Sequence, residues 1–398
     1  MDEVKGSLQE LRRVGLHRKL RLVEGPQGPR VTLDGTEVLL LCSNNYLGLA
    51  DHPRVRQAAA EAAERYGAGA GASRLISGNM ELHRRLEVRL AEFEGTEAAL
   101  LFGSGYLANT GIIAALAREG GVVFSDELNH ASIVDGCRLA RAETQVYRHA
   151  DLDHLEWGLR EAGNRPMVIV TDGVFSMDGD VAPLIGIHEL AQRYGARLVV
   201  DEAHATGALG PGGRGSVAAA GLSGAIDVVV GTLGKSLGSY GAYAAASAEL
   251  RDYLINTARP FIFSTAPPPP SMGAALAALS LLESRPGAVE QLRRNGAVLR
   301  EALDGEGLDV GRSRTQIVPV IVGSSRLALA LCERVLDCGA FAQAIRPPTV
   351  PDGTARLRLT VMANHRADEL QRAAHQIGRM ARELGILQPA RAQLRSAA

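Results

Sequence analysis

The sequence predicts an α/β protein: a large, doubly wound domain with a mainly parallel sheet, and a smaller α+β domain towards the C-terminus. Three observations predict it. From residue 98 onward, short apolar runs alternate with helical stretches, the texture of strands covered by helices on both faces. Those runs are ALLF (99–102), GVVF (121–124), TQVY (144–147), MVIV (167–170), ARLVV (196–200) and DVVVG (227–231). After Pro267–Pro270 the alternation thins to fewer strands among helices. Finally, 45 of 398 residues are glycine, above the usual ~7% and without a collagen period, which implies many tight turns and close backbone approaches.

Each element has its own signal. Val4, Leu8, Leu11 and Val14 recur at helical spacing among charged residues, and Gly15 either ends that helix or merely weakens it. VTLDGTEVLLL places two β-rich runs around Asp34-Gly35, a two-residue hairpin signal. Helical patterns cover 53–66 and 80–94, separated by GAGAGAS (67–73). Beyond the prolines come helices at 271–284 and 286–304, the run QIVPVIVG (316–323), a helix at 324–338, the strand RLRLTV (356–361) and a closing helix at 365–385. This divides the chain into an N-terminal helix and hairpin (1–45), a large domain (46–284) and a small domain (285–398), with disorder expected only in the last dozen residues.

Charge and composition narrow the function classes. The net charge of −1 gives no global field for nucleic acid or an anionic membrane. The opening MDEVKGSLQELRR has no apolar h-region, so no secretory signal is expected. The longest nearly apolar stretch, Met272 to Leu282, falls short of the roughly 18 residues that a spanning helix needs. Cys42, Cys137, Cys332 and Cys338 form neither a C-x-x-C nor a metal spacing and read as free thiols in a reducing cytosol. The expectation is a soluble, cytoplasmic enzyme without a metal.

In open α/β sheets ligands bind outside the carboxyl ends of the strands, so the residues after each strand carry the chemistry. After ALLF, Gly103-Ser104-Gly105-Tyr106-Leu107-Ala108 opens a helix, with Asp126 about 20 residues on; this suits a dinucleotide, another phosphate ligand, or plain turn glycine. After DVVVG, Thr232-Leu233-Gly234-Lys235-Ser236 puts a lysine on a glycine-lined turn. A P-loop is excluded, because Val229 stands where its first glycine belongs. After ARLVV comes Asp201-Glu202-Ala203-His204, and after MVIV the polar run Thr171 to Asp180. After GVVF comes Asn129-His130, where the histidine serves either a ligand or the local structure. A lysine for an imine, a carboxylate for a ring nitrogen, a phosphate cradle and two histidines at strand ends are what pyridoxal 5′-phosphate requires.

The chain resembles the α-oxoamine synthases, fold-type I pyridoxal phosphate enzymes, over about residues 10–385. SNNYLGL (43–49), GSGYLAN (103–109), NHAS (129–132), TDGVFSMDGD (171–180), VDEAHATG (200–207), GTLGKSLG (231–238) and FSTAPPP (263–269) carry the resemblance in family order. It implies that Lys235 bonds the cofactor and moves the Cα proton, that Asp201 pairs with the ring nitrogen, that His204 and Ser176 address the ring oxygen and that His130 stacks on the ring. It further implies that Gly105, Tyr106 and Thr232 hold the phosphate with Ser264 of a second subunit, in a homodimer for which GAGAGAS is a dimer-side segment. Arg358 is implied to bind the amino-acid carboxylate, Asn44 to contact substrate, and Arg18 and Arg346 to serve the acyl chain end or carboxylates nearby, with Thr349 beside Arg346 on the acyl side. Asp172 stands where some synthases carry glutamate, and its role stays open.

Within the family, AIRPPTVPDGTARLRLT (344–360) is similar to the biotin-pathway member, which condenses L-alanine with a pimeloyl thioester of coenzyme A or acyl carrier protein. The alternatives are acetyl transfer to glycine and a nucleotide-cofactor oxidoreductase built on Gly103–Ala108.

Overall fold

The computed structural model describes residues 2–387; the disorder expected in the last dozen residues lies outside them. The chain forms two compact units. One comprises Asn44–Arg293 with Met362–Asn364; the other comprises the residues up to Ser43, Arg294–Val361 and the chain from His365 on.

The larger unit contains a seven-stranded sheet in the order Ala98–Phe102, Ala242–Ala246, Val228–Thr232, Arg197–Asp201, Met167–Asp172, Val122–Asp126, Glu143–Tyr147. The last five run parallel, and the valine-rich runs are fully buried because helices cover both faces. Glu143–Tyr147 is the edge strand, with Glu143, Thr144 and Val146 exposed. Six of these strands are legible in the sequence; Ala242–Ala246 is not. Its AYAAA composition favours helix in isolation, yet it lies antiparallel between two neighbours. Ala242, Ala244 and Ala246 pack into one core with Ile112, Ile113 and Phe261, so tertiary burial overrides propensity.

The helices start where local chemistry permits. Pro53 occupies the first turn of Pro53–Tyr66, and the His52 ring accepts from the Arg54 N–H. Ser104 caps Gly105–Leu116 by accepting from the Leu107 N–H. That places the N-terminus of a buried helix directly after a strand, at the sheet's carboxyl end.

In the smaller unit, Arg30–Leu33 and Thr36–Leu40 pair with Leu33 opposite Thr36. Asp34 (φ 49°) and Gly35 (φ 82°) form the turn with both φ values positive, as the Asp-Gly signal predicts. The helix Asp2–Arg13 stops at Gly15 (φ 71°), where the Leu16 and His17 N–H groups return to the Leu11 carbonyl. It therefore does not run on towards Val23.

Ala340–Phe341 joins Thr36–Leu40 in parallel, so the chain up to Ser43 shares a unit with Arg294–Val361. A three-stranded antiparallel sheet has Ala355–Thr360 between Ile317–Gly323 and Gln343–Ile345. The helices Ser325–Asp337 and Ala367–Glu383 belong to this unit as well. No helix among the described residues is long and apolar enough to cross a membrane.

Gly238, in the turn after Val228–Thr232, has φ 57°, and a Cβ there would lie 2.4 Å from the Ala50 backbone nitrogen. Gly238→Ala should cost about 1–3 kcal/mol of stability, since backbone cannot yield as a flexible side chain does. Urea unfolding midpoints measure this; an unchanged midpoint contradicts the packing described.

Candidate active site

Three adjacent parallel strands end in polar residues: Met167–Asp172, Arg197–Asp201 and Val228–Thr232. The turn after the third carries Lys235, which is half-buried. Its Nζ lies 2.8 Å from His204 Nε2, and His204 Nδ1 lies 2.7 Å from the Tyr46 hydroxyl. Tyr46 is fully buried and donates its proton to Asn44 Oδ1 at 3.0 Å. A phenol has one proton to give, so Tyr46 accepts from Nδ1–H, and the Nε2 lone pair faces the lysine. Asn44, His204 and Lys235 are thus brought together through a tyrosine that carried no sequence-based role.

Asp201 is buried at the end of its strand. Its Oδ2 accepts from Asn109 Nδ2 at 2.6 Å and its Oδ1 from the Ala203 N–H at 2.8 Å. The other Asn109 N–H donates to Ser132 Oγ at 2.9 Å, and Ser132 Oγ lies 2.7 Å from His130 Nδ1. Asp201 and His130 are therefore linked through Asn109 and Ser132. Desolvation holds the His130 imidazole below its ordinary pKa; the Lys235 charge acts in the same direction and the Asp201 charge against it. The Asn129 side chain fixes the segment before His130 by accepting from the Asp172 N–H and donating to the Val170 carbonyl.

The expected phosphate cradle lies at the start of Gly105–Leu116. Ser104 satisfies the Leu107 and Ala108 N–H groups, and those of Gly105 and Tyr106 head the first turn without intrahelical acceptors. A Cβ on Gly105 would meet nothing within 4 Å, so this end of the helix is open. The Tyr106 hydroxyl donates to Asp135 Oδ2 at 2.7 Å. Thr232 Oγ1 donates to the Gly241 carbonyl and accepts from the Gly234 N–H, both at 3.2 Å. Ser264 is half-buried; beside it Thr265 bridges Ser73, and the Ala266 N–H donates to the Ala72 carbonyl at 3.0 Å. The GAGAGAS and FSTAPPP segments thus lie together within one chain.

Ser176 is buried in the turn after Met167–Asp172. That turn is held by His149, whose Nδ1 lies 2.9 Å from Asp126 Oδ1 and whose Nε2 lies 2.7 Å from Asp180 Oδ2. Asp126 also accepts from the Leu128 and Ala150 N–H groups. It is committed to this clamp and offers nothing to a ribose, which removes the dinucleotide reading of Gly103–Ala108.

A family model, aminotransferase class I and II, matches residues 36–377. The chain belongs to the aminotransferase class I and II family. A relative in Geobacter sulfurreducens named 8-amino-7-oxononanoate synthase is 56% identical over 387 residues, covering 96% of this chain and 99% of that protein. The protein of the same name in Thermoanaerobacter pseudethanolicus is 46% identical over 389 residues, covering 97% and 98%. Among solved structures, a Lys→Ala variant of serine palmitoyltransferase from S. paucimobilis, with a bound PLP–myriocin aldimine, superposes with TM-score 0.92 at 33% identity, covering 97% of this chain and 98% of that one. 8-Amino-7-oxononanoate synthase from Francisella tularensis gives 0.76 at 27% identity, covering 87% and 98%.

The remaining expected residues of this aminotransferase-family chain belong to the smaller unit. Arg358 is buried on the central strand, opposite Pro319 and Gln343. Arg356, on the same strand, is equally buried, and its Nε donates to the Thr354 carbonyl at 3.0 Å. Arg346 is buried and its guanidinium donates to the Gly15 carbonyl. Desolvation lowers its pKa, helped by the nearby charge of the exposed Arg18. Thr349 is exposed and returns its N–H to the Arg346 carbonyl at 3.1 Å.

The His149 clamp gives a pH dependence. Desolvation opposes its charge, but hydrogen bonds and charges from Asp126 and Asp180 prevail and push its pKa from 6.5 up to about 10. A folded-state pKa above the unfolded one stabilises fully below about pH 6.5, and the contribution is lost as pH rises towards about 10. The stability advantage of wild type over His149→Asn should therefore be largest below neutrality and shrink through that window. Parallel curves of urea midpoint against pH contradict the assignment.

Proposed function

We propose that this protein catalyses the pyridoxal phosphate-dependent, decarboxylative condensation of L-alanine with a pimeloyl thioester. The products are 8-amino-7-oxononanoate, carbon dioxide and the free thiol, and the step serves biotin biosynthesis. The observation that carries this reading is full-length identity of 46–56% to proteins named for that product, on a chain that sets lysine, carboxylate and two imidazoles at adjoining strand ends.

The donor set fits the cofactor. Lys235 is the amine that holds it covalently, and Asp201 is the carboxylate for its ring nitrogen. His204 and Ser176 would address its ring oxygen, and His130 would stack on its ring. The open first turn at Gly105 and Tyr106, with Thr232, receives the phosphate, and Ser264 contributes from the second subunit of a homodimer. When bound, pyridoxal phosphate supplies an electron sink for negative charge at the amino-acid Cα.

The chain's own groups move the protons. Lys235 Nζ would take the Cα proton of bound alanine as general base. His204 Nε2, 2.8 Å away, presents a lone pair that accepts a hydrogen bond from that nitrogen. Arg358 binds the alanine carboxylate through its planar fork until that carboxylate leaves as carbon dioxide. Arg18, Arg346 and Thr349 serve the pimeloyl side, where two neighbouring cations suit its distal carboxylate. Asn44 holds Tyr46, and so His204, in register beside the substrate.

One experiment tests this. Purified, cofactor-loaded protein is given L-alanine or glycine with pimeloyl- or acetyl-coenzyme A, and products are weighed by mass spectrometry. The alanine–pimeloyl pair should win by at least about tenfold, the discrimination a few methylenes provide. Borohydride reduction should then place the pyridoxyl label on Lys235. Preference for glycine with the acetyl thioester, or label on another lysine, overturns the reading.

A further inference from the structure

We propose that Asp172 and Asp201 together carry one negative charge, and that the Asn109 side-chain amide assigns it to Asp201, leaving Asp172 protonated. The two residues are directly paired on adjacent parallel strands, so their side chains leave the sheet on the same side. Both are buried. Two neighbouring carboxylates removed from water do not both ionise at neutral pH; one keeps its proton.

The donors decide which one. Asp201 accepts two N–H bonds, from Asn109 at 2.6 Å and from the Ala203 backbone at 2.8 Å. Asp172 accepts one, from the His130 backbone at 2.7 Å. Each such donor favours the ionised form of its acceptor. The Asn109 amide is spent one-sidedly: both N–H bonds are used, on Asp201 and Ser132, while its buried Oδ1 has no partner. Flipping the amide would set that oxygen against the Asp201 carboxylate, so the orientation is fixed by the charge it serves.

The surrounding charges point the same way. Asp172 faces Asp201, Asp126 and Lys235, and its pKa is raised well above the ordinary carboxylate range, first by burial and then by the Asp201 charge, with the His130 N–H and Lys235 opposing. Asn109 is thus a positioning residue, acting on the cofactor site through Asp201. Asp172 is its neutral neighbour, able to donate a proton in a hydrogen bond but not to compete for a cation.

The test is ¹³C NMR of protein labelled at the aspartate side-chain carboxyl carbons, read in the cofactor-loaded protein and again in the cofactor-free chain. In both states one buried carboxyl should keep the protonated shift between about pH 5 and 8, above the ordinary aspartate pKa. That signal should vanish in Asp172→Asn. In Asn109→Ala the protonated signal of the cofactor-free chain should no longer belong to Asp172 alone, as loss of a donor to the ionised form of its neighbour requires. The proposal is overturned if Asp172 titrates in the ordinary carboxylate range, or if the protonated signal vanishes in Asp201→Asn and survives in Asp172→Asn. Wild type and Asp172→Asn decide the partition even where Asn109→Ala does not fold. The cofactor-free arm tests it separately from the assigned reaction.

Discussion

A carboxylate buried at the end of a parallel strand governs this site. Asp201 sits among valine-rich strands, where an unsatisfied charge would be expensive. Its oxygens are satisfied by one backbone N–H and one asparagine amide. The second bond of that amide reaches Ser132 and, through it, His130. The helix Gly105–Leu116 must therefore lie where Asn109 meets the strand end, and this same placement opens its first turn at the sheet's edge. One requirement, solvating a buried charge, positions the open first turn at Gly105 and the His130 imidazole together.

A second polar chain does the same for the lysine. Asn44, Tyr46 and His204 form a series in which each proton has one destination, so the nitrogen facing Lys235 is an acceptor. A histidine in the other tautomer would present a donor to an ammonium. The buried tyrosine thus sets which His204 nitrogen faces Lys235 as well as filling the core. On the far side of the sheet end, the His149 clamp ties the turn carrying Ser176 and Asp180 to the strand Val122–Asp126. These polar links hold the turns at the strand ends in one geometry.

Much of this was legible in the sequence, and the reason differs by element. Continuous apolar runs reveal parallel strands because both faces are buried, and Asp34-Gly35 reveals its hairpin because few residue pairs tolerate two positive φ values. Lys235, Asp201, His204 and His130 stand out because reactive residues at strand ends are chemically unusual. Ala242–Ala246 was hidden, because alanine says nothing of β structure until neighbours bury it. The pairing of Ala340–Phe341 with Thr36–Leu40 joins residues some three hundred positions apart, and no local pattern encodes it. Asn109, Tyr46, Ser132 and His149 were equally silent. Their roles are second links in hydrogen-bond chains, and side-chain type alone does not say which partner a hydroxyl or an amide will find. Asp126 was misleading: its spacing from Gly103 suited a ribose, but its partners are His149 and two backbone N–H groups.

We propose that the buried Asp201 carboxylate would keep the ring nitrogen of bound pyridoxal phosphate protonated. Loading the protein with pyridoxal phosphate labelled with ¹⁵N in the ring, and recording that nitrogen's chemical shift, tests it without reference to turnover. The account predicts a protonated shift in wild type across neutral pH and an unprotonated one in Asp201→Asn. An unprotonated nitrogen in wild type, or the same protonated shift in both proteins, would contradict it.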